Sequence, residues 1–383
     1  MPVHVSPAEI DRRMTATRAA LAEAGLDGLV MFKPESHYWL TGYDTFGYCF
    51  FQALVLRADG DLVLLTRSAD LRQAQLTSTI EDIRIWVDRD GADPARELAA
   101  LLGEKGLAGK RIGVELDTHG LTYANGKRLE AALDGVVTMV DASRLVSRLR
   151  LVKSAEELAF VRRAGELGDA ALEAAIAHTR AGADEGVILA RMHDAIFEAG
   201  GDYPGNPFII GSGPQALLCR YQSGRRRLDP QDQLTLEIAG VHRHYHAALM
   251  RTLLVGRATP QHERLHDAAH EALLAAEAKL VPGRAMHEVY DAQAQVLDRR
   301  GLREHRLNAC GYSLGAVYAP SWMDWPMFYA GNPVVIGAGM VFFLHMILMD
   351  STTGTAVTLG RTSIVNDAGP ESLSRLPLDM IVR

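Results

Sequence analysis

The chain has 383 residues, with 48% apolar and 23% charged side chains and a formal net charge of −7. That length suits two domains of roughly 100–200 residues each, and the composition excludes a disordered chain. No long run of Lys or Arg occurs, which speaks against a nucleic-acid surface, and no apolar stretch approaches the roughly 18–20 residues of a membrane span.

The N-terminal MPVHVSPAEIDRR lacks a basic segment followed by an apolar one, so no secretory signal is expected. Cys49, Cys219 and Cys310 are odd in number and far apart, with no CxxC pair and no zinc spacing. A reduced, cytoplasmic setting is therefore expected. In chain order, Ser6 and Glu9 have capping-box spacing with Pro7 in the first turn, and Gly25 closes the first helix. Strands are predicted at Leu29–Phe32, Phe51–Leu56 and Leu62–Thr66, the last two flanking Asp59-Gly60, a hairpin signal. Ile112–Glu115 and Val136–Val140 continue the series with helices between them, which predicts an open α/β sheet.

The boundary is placed within SRLVSRLRLVKS, giving domains 1–148 and 149–383. Ser154 and Glu157 form a second capping box ahead of a long helix, and Glu185–Ala199 reads as another. Strands are then expected at Phe208–Ile210, Gln233–Ile238, Ala247–Val255, Met340–Met349 and Ala356–Val365, with helices near Gln261–Leu280 and Ala285–Arg299. Grouped strands with helices to one side predict an α+β layer. Arg225-Arg226-Arg227 reads as a solvated turn.

Several segments in order resemble the creatinase/prolidase/aminopeptidase P family: GLVMFKPESHYWLTGY (28–43), LRLVKSAEELAFVRRA (149–164), FIIGSGPQALLCRY (208–221), LDPQDQLTLEIAG (228–240), YHAALMRTLLVG (245–256), GYSLG (311–315) and GMVFFLHMIL (339–348). The resemblance covers nearly the whole chain. It implies a creatinase-type α/β N-terminal domain and an α+β "pita-bread" catalytic domain. It also implies a closed homodimer in which one N-terminal domain completes the neighbour's pocket.

Family members hold two divalent ions with two Asp, one His and two Glu. The first Asp falls here on Glu237, the second on Ala248, the His on Tyr312, the first Glu on His345 and the last Glu on Gly360. Ala and Gly offer no ligand atom, and a stable site normally needs three or four protein ligands. No metal and no other cofactor is therefore expected, although Glu237 and His345 are still able to ligate.

Strand alternation turns His246 and Met250 to the same side as Ala248. The expected catalytic set is Glu237, His246, His345 and Tyr312, with Arg220 gripping a substrate carboxylate. Each has a plainer reading: a salt bridge for Glu237 and Arg220, a surface position for His246, a core histidine for His345, and space filling for Tyr312. Tyr43, Phe46, Tyr48, Trp322 and Trp325 are candidate substrate-lining rings or ordinary core.

Two metal-independent branches bear on the substrate. Creatinases differ from this chain at Arg220, Met250, Tyr312 and His345. Ectoine hydrolases are more similar, through Glu237–Gly240, Tyr245–Thr252 and Gly311–Gly315. The expectation is a metal-independent hydrolase of a C–N bond in a small carboxylate-bearing cyclic amidine, amide or guanidino compound, with Glu237 as nucleophile or base. The alternatives are an Xaa-Pro dipeptidase-like metallopeptidase and an inactive binding protein.

Overall fold

The structure is a computed structural model that describes residues 3–221 and 225–383. Met1 and Pro2, the start of the stretch scanned for a secretory signal, lie outside the described residues. Two compact units divide the chain, Met1–Arg150 and Leu151–Arg383. No helix among the described residues is long and apolar enough to cross a membrane.

The first unit contains α1 (Pro7–Glu23), β1 (Gly28–Met31), α2 (Pro34–Thr41), β2 (Ala53–Arg57), β3 (Leu62–Arg67), α3 (Leu71–Thr77), β4 (Asp82–Trp86), α4 (Pro94–Glu104), β5 (Arg111–Val114), α5 (Tyr123–Leu133), β6 (Thr138–Asp141) and α6 (Leu145–Leu149). Its six-stranded sheet has the order β4-β3-β2-β1-β5-β6, with β1, β2 and β3 antiparallel and the other pairs parallel. Leu29 and Met31 enter one apolar cluster, Val30 and Phe32 the other. Burial on both faces explains why β1 reads as an unbroken apolar run. As the sequence predicts, Ser6 caps α1 by accepting from the Glu9 amide at 3.2 Å.

The second unit contains α7 (Ala155–His178), α8 (Glu185–Glu198), β7 (Ile209–Ser212), β8 (Asp232–His242), β9 (Tyr245–Val255), α9 (Pro260–Glu277), α10 (Met286–Arg299), β10 (Ala309–Ser313), β11 (Asp324–Tyr329), β12 (Val341–Asp350), β13 (Thr355–Asn366), β14 (Gly369–Ser372) and β15 (Ile381–Val382). The main path of its sheet is β11-β10-β12-β13-β9-β8-β7, with β14 on β13 and β15 on β9. Alternate residues of β12, among them Phe342, Leu344 and Met346, pack with α9 and α10. This leaves Phe343, His345 and Ile347 to the other face.

Three local devices fix this unit. The capping box starts α7: the Glu157 amide donates to Ser154 Oγ at 3.4 Å, and the Ser154 amide to Glu157 Oε2 at 2.9 Å. Tyr245 then donates its hydroxyl to Glu157 Oε1 at 2.7 Å, tying the helix start to β9. Second, the β8–β9 hairpin turns through Arg243 and His244, both at positive φ (51° and 65°), as the tightest two-residue turns require. That turn sets the register, with His242 opposite Tyr245 and Glu237 opposite Met250.

The third device is a glycine crossing. A Cβ on Gly240 would lie 2.0 Å from the Ala164 carbonyl oxygen and 2.3 Å from the Gly168 nitrogen, so the backbone of α7 rests directly on β8. Substitution Gly240→Ala must part helix and sheet. We expect a loss of at least about 2 kcal/mol, in the upper range for overpacking, measured by chemical denaturation. A denaturation midpoint equal to wild type would remove this crossing as a constraint.

Candidate active site

Cross-strand partners share a face of a sheet. The observed registers place Glu237 (β8) opposite Met250 (β9), Met250 opposite Gly360 (β13), and Gly360 opposite His345 (β12). These four positions form one row across the sheet. Tyr312 on β10 pairs with Phe343, two residues from His345.

Glu237 is 6% exposed. It accepts a hydrogen bond from the Tyr312 hydroxyl at 3.0 Å, and that hydroxyl accepts one from Trp322 Nε1 at 2.8 Å. Burial pushes the Glu237 carboxyl up to about 7, against the opposing pull of the Tyr312 hydrogen bond and the Arg220 charge. Burial and the neighbouring carboxylate hold the Tyr312 phenol well above its ordinary range, so it remains a donor.

Arg220 is exposed and follows the short 3-10 turn Gly213–Leu217. Its guanidinium contacts Met323 Sδ at 3.9 Å, and no carboxylate among the described residues forms an ion pair with it. Its charge nevertheless reaches Glu237, Tyr312 and His345. The plainer reading of Arg220 as a salt-bridge partner of Glu237 is therefore not what the structure displays.

His345 is buried, and its ring lies 5.8 Å from that of Tyr312 and 5.4 Å from that of Phe343. Burial, with the Arg220 charge added, lowers it to about 4, so it is neutral at pH 7. Its Nδ1 atom is buried with no hydrogen-bond partner among the described residues.

His246 does turn inward, but it has no free nitrogen for moving protons. Its Nδ1 donates to the His244 carbonyl at 2.7 Å, and its Nε2 accepts from the Gly205 amide at 2.8 Å. A carbonyl can only accept and an amide N–H can only donate, so the ring is held neutral in one tautomer. Burial depresses it to about 3. The expectation of an acid–base role is corrected accordingly: His246 is a clamp on the loop before β7. Beside Gly205, Asn206 Oδ1 accepts from the Trp322 amide at 3.1 Å. The clamp therefore supports the tryptophan that supports Tyr312.

The aromatic candidates separate. Trp322 sits behind Tyr312 and orients it. Trp325 packs instead against the helix-side core formed with α9 and α10, on the face away from Glu237. Tyr43 belongs to the core of the first unit, where its hydroxyl accepts from Gln52 Nε2 at 3.0 Å, so its ring offers no free surface. Phe46 is 77% exposed and Tyr48 half-buried, around a short 3-10 turn at Gly47–Cys49. Arg226 in the basic triplet bonds Ser212 Oγ and pairs with Asp229 and Asp232, rather than standing in solvent.

Nor do the donors fit a pair of divalent ions. No group of three or more His, Cys, Asp or Glu able to hold a metal occurs among the described residues. Ala248 has its amide and carbonyl taken by Thr362 Oγ1, both at 2.9 Å. At Gly360 a Cβ would lie 2.7 Å from the Leu344 carbonyl oxygen and 2.9 Å from the Phe343 ring, which leaves no room for a carboxylate side chain. Sequence reasoning missed Phe343 in this role. The signal available was a glycine at 360 inside a run of strand-forming residues.

Comparisons with known proteins agree with this architecture. The family model "Metallopeptidase family M24" matches residues 159–367, and "Creatinase/Prolidase N-terminal domain" matches 13–152. An uncharacterized hydrolase/peptidase, y4tM, of Sinorhizobium fredii is 26% identical, covering 100% of this chain and 99% of that protein. The ectoine hydrolase of Halomonas elongata is 24% identical, with coverage of 97% and 96%. The crystal structure of dipeptidase PepE from Mycobacterium ulcerans superposes with a TM-score of 0.85 at 27% identity, covering 99% of each chain.

The raised Glu237 carboxyl has a thermodynamic consequence. Below its ordinary value of 4.5 it is protonated whether the chain is folded or not; between 4.5 and about 7 the unfolded chain ionises it and the folded chain does not. Its contribution to stability is therefore full below 4.5 and is lost as pH rises through 7. Glu115 in the first unit, also raised to about 7 by burial, acts in the same sense. Glu237→Gln isolates the site. Wild-type stability relative to this variant should fall by about 3 kcal/mol between pH 4.5 and 7.5, at about 1.4 kcal/mol per unit. Parallel denaturation curves across that window would contradict the burial argument.

Proposed function

The chain belongs to metallopeptidase family M24, and from that premise we propose that it hydrolyses a C–N bond of a small carboxylate-bearing compound without a resident metal. The observation that carries the reading is Glu237, a buried carboxyl raised to about 7 at the end of a Trp322–Tyr312 hydrogen-bond chain. A group with that value is half ionised near neutrality, which suits general acid–base work.

Two routes use it. As a base, Glu237 takes a proton from water while the water oxygen bonds to the electrophilic carbon. The C–N bond then breaks toward nitrogen, which receives the proton. As a nucleophile, ionised Glu237 bonds to that carbon itself, the C–N bond breaks as the leaving nitrogen takes a proton from solvent, and water then hydrolyses the mixed-anhydride-type adduct, restoring the Glu237 carboxylate and returning a proton to solvent. In either route Tyr312 keeps its hydroxyl donated to Glu237 and steadies the charge on that carboxyl as it changes. His345 offers a neutral imidazole with an unpartnered Nδ1 for proton transfer. Arg220, with no anionic partner among the described residues, is suited to a substrate carboxylate. The similarity to ectoine hydrolase of Halomonas elongata supports a cyclic amidine as one substrate class. The same reading includes a two-fold dimer in which exposed Phe46 meets the other copy; an active monomer in sedimentation would remove that part.

Turnover of ectoine, creatine, hydantoins and Xaa-Pro dipeptides by purified protein, with and without EDTA, tests the proposal. Turnover of a cyclic amidine, amide or guanidino compound unaffected by EDTA is expected. Activity confined to Xaa-Pro dipeptides and abolished by EDTA would overturn it, as would two tightly bound divalent ions per subunit. Glu237→Gln should lower kcat by at least about two orders of magnitude, the lower end of a general-base contribution. Arg220→Lys should raise KM, and Arg220→Ala should raise it further, because an ammonium cannot reproduce a bidentate fork. Wild-type kcat/KM in both folded Arg220 variants would remove it as a carboxylate clamp.

A further inference from the structure

Arg220 stands on a turn that is tied to the strand carrying Glu237. Gln233, Thr235 and Glu237 alternate along β8 and so share one face, with roughly 7 Å of strand between successive members. Gln233 Nε2 donates to the Gly213 carbonyl at 3.1 Å and to the Gly354 carbonyl at 2.7 Å. Its Oε1 accepts from His262 Nε2 at 3.0 Å and from the Ala356 amide at 2.9 Å. Both donors and both acceptor positions of that side chain are therefore used, which fixes the start of the turn. Thr235 Oγ1 lies 3.1 Å from the Ala216 carbonyl oxygen and 3.3 Å from that of Gly211. A hydroxyl has one proton to donate, and the shorter contact favours Ala216.

Two attachments bracket Arg220. Ahead of it, Thr235 holds Ala216 near the end of the 3-10 turn Gly213–Leu217. Behind it, the Ile210 amide donates to the Tyr221 carbonyl at 3.1 Å, which returns the chain to β7. Between these points the Leu218 amide donates to the Gln215 carbonyl at 3.0 Å, and the Tyr221 amide to the Leu218 carbonyl at 3.1 Å. The turn also rests closely on β7, since a Cβ on Gly211 would lie 2.6 Å from the Gln215 carbonyl oxygen. These other contacts are between backbone atoms. The Thr235 hydroxyl is a side-chain contact, which a substitution can remove.

We infer that Thr235 is a positioning residue for substrate recognition: by holding Ala216, its hydroxyl sets where the Arg220 guanidinium stands relative to Glu237 on the same face of β8. The reacting carboxyl and the anchor of the carboxylate clamp then share one strand, so β8 fixes the spacing between the two ends of a bound substrate. Thr235 is buried and acts through the turn. The inference rests on the proposed hydrolysis with Arg220 as clamp, and adds the residue that aims it. Valine keeps the branched shape of threonine and lacks the hydroxyl, which leaves the Ala216 carbonyl without this donor.

Kinetics on ectoine, creatine and hydantoin-5-acetic acid, each beside its carboxamide, test it. Thr235→Val should raise KM for the acids by about three- to tenfold, the reach of one hydrogen bond, with kcat within about twofold of wild type. The acid-to-carboxamide ratio of kcat/KM should fall by the same factor. Thr235→Ser, which keeps the hydroxyl, should restore both quantities. In an Arg220→Ala background Thr235→Val should change neither, because the clamp it aims is gone. Thr235→Ala makes the same comparison if the valine variant does not fold. Wild-type KM in Thr235→Val, or an equal effect with and without Arg220, would overturn the positioning role and leave the hydrolysis standing. A wild-type acid-to-carboxamide ratio in Arg220→Ala would overturn the clamp, and the role of Thr235 with it. No turnover of any probe or of the wider substrate panel would overturn the hydrolysis and the inference together.

Discussion

The arrangement depends on the removal of one carboxyl group from water. Glu237 stands on a strand buried along nearly its whole length, and among the described residues the Tyr312 hydroxyl is the one side-chain donor to its carboxyl. Ionised carboxylates in apolar surroundings are costly unless paired. Here the Arg220 charge influences Glu237 by its field, and no ion pair joins the two. The balance leaves the group poised between its two protonation states near neutral pH, a condition that reactive acids and bases share.

Much of the second unit serves that placement. The Arg243–His244 turn sets the β8–β9 register that puts Met250, a neutral side chain, across from Glu237. The His246 clamp on Gly205 and the contact from Asn206 steady Trp322, which in turn holds the Tyr312 hydroxyl toward the carboxyl. His246 thus supports the site through structure, with both ring nitrogens committed to backbone. At the other end of the row, Gly360 lets the Phe343 ring occupy space that a carboxylate side chain would need. Similarity to metallopeptidase family M24 thus coexists with a donor set that does not match the two-ion centre which the family resemblance implies.

Most of this architecture was legible in the sequence because periodic signals carry it. Capping boxes at Ser6 and Ser154, the alternation of β12, and the Asp59-Gly60 turn are local patterns, and the elements they predict occur within a few residues of the expected bounds. β4 and β11 were less legible. DIRIW and DWPMFY mix charged or proline residues into strands whose pairing is decided by neighbours distant in sequence. At the site, strand phase correctly turned His246 inward. It carried no information on the partners of the two ring nitrogens, which come from the turn at His244 and from Gly205. Trp322 and Trp325 are three residues apart and look equivalent as letters. The structure sends one behind Tyr312 and the other to the helix-side core. A small cavity beside Glu237 had no signal of its own, since its walls come from β7, β8, β9, β12, β13 and the segment around Cys219.

The central claim is that burial, opposed by one phenol hydrogen bond, sets the charge of Glu237. Titrating its carboxyl by ¹³C NMR, in protein labelled at the glutamate δ-carbon and assigned with Glu237→Gln, measures that balance directly. The account predicts a midpoint near 7 in wild type, moving upward in Tyr312→Phe because the hydrogen bond that favours the charged form is gone. A midpoint near the ordinary 4.5 in both proteins would contradict it.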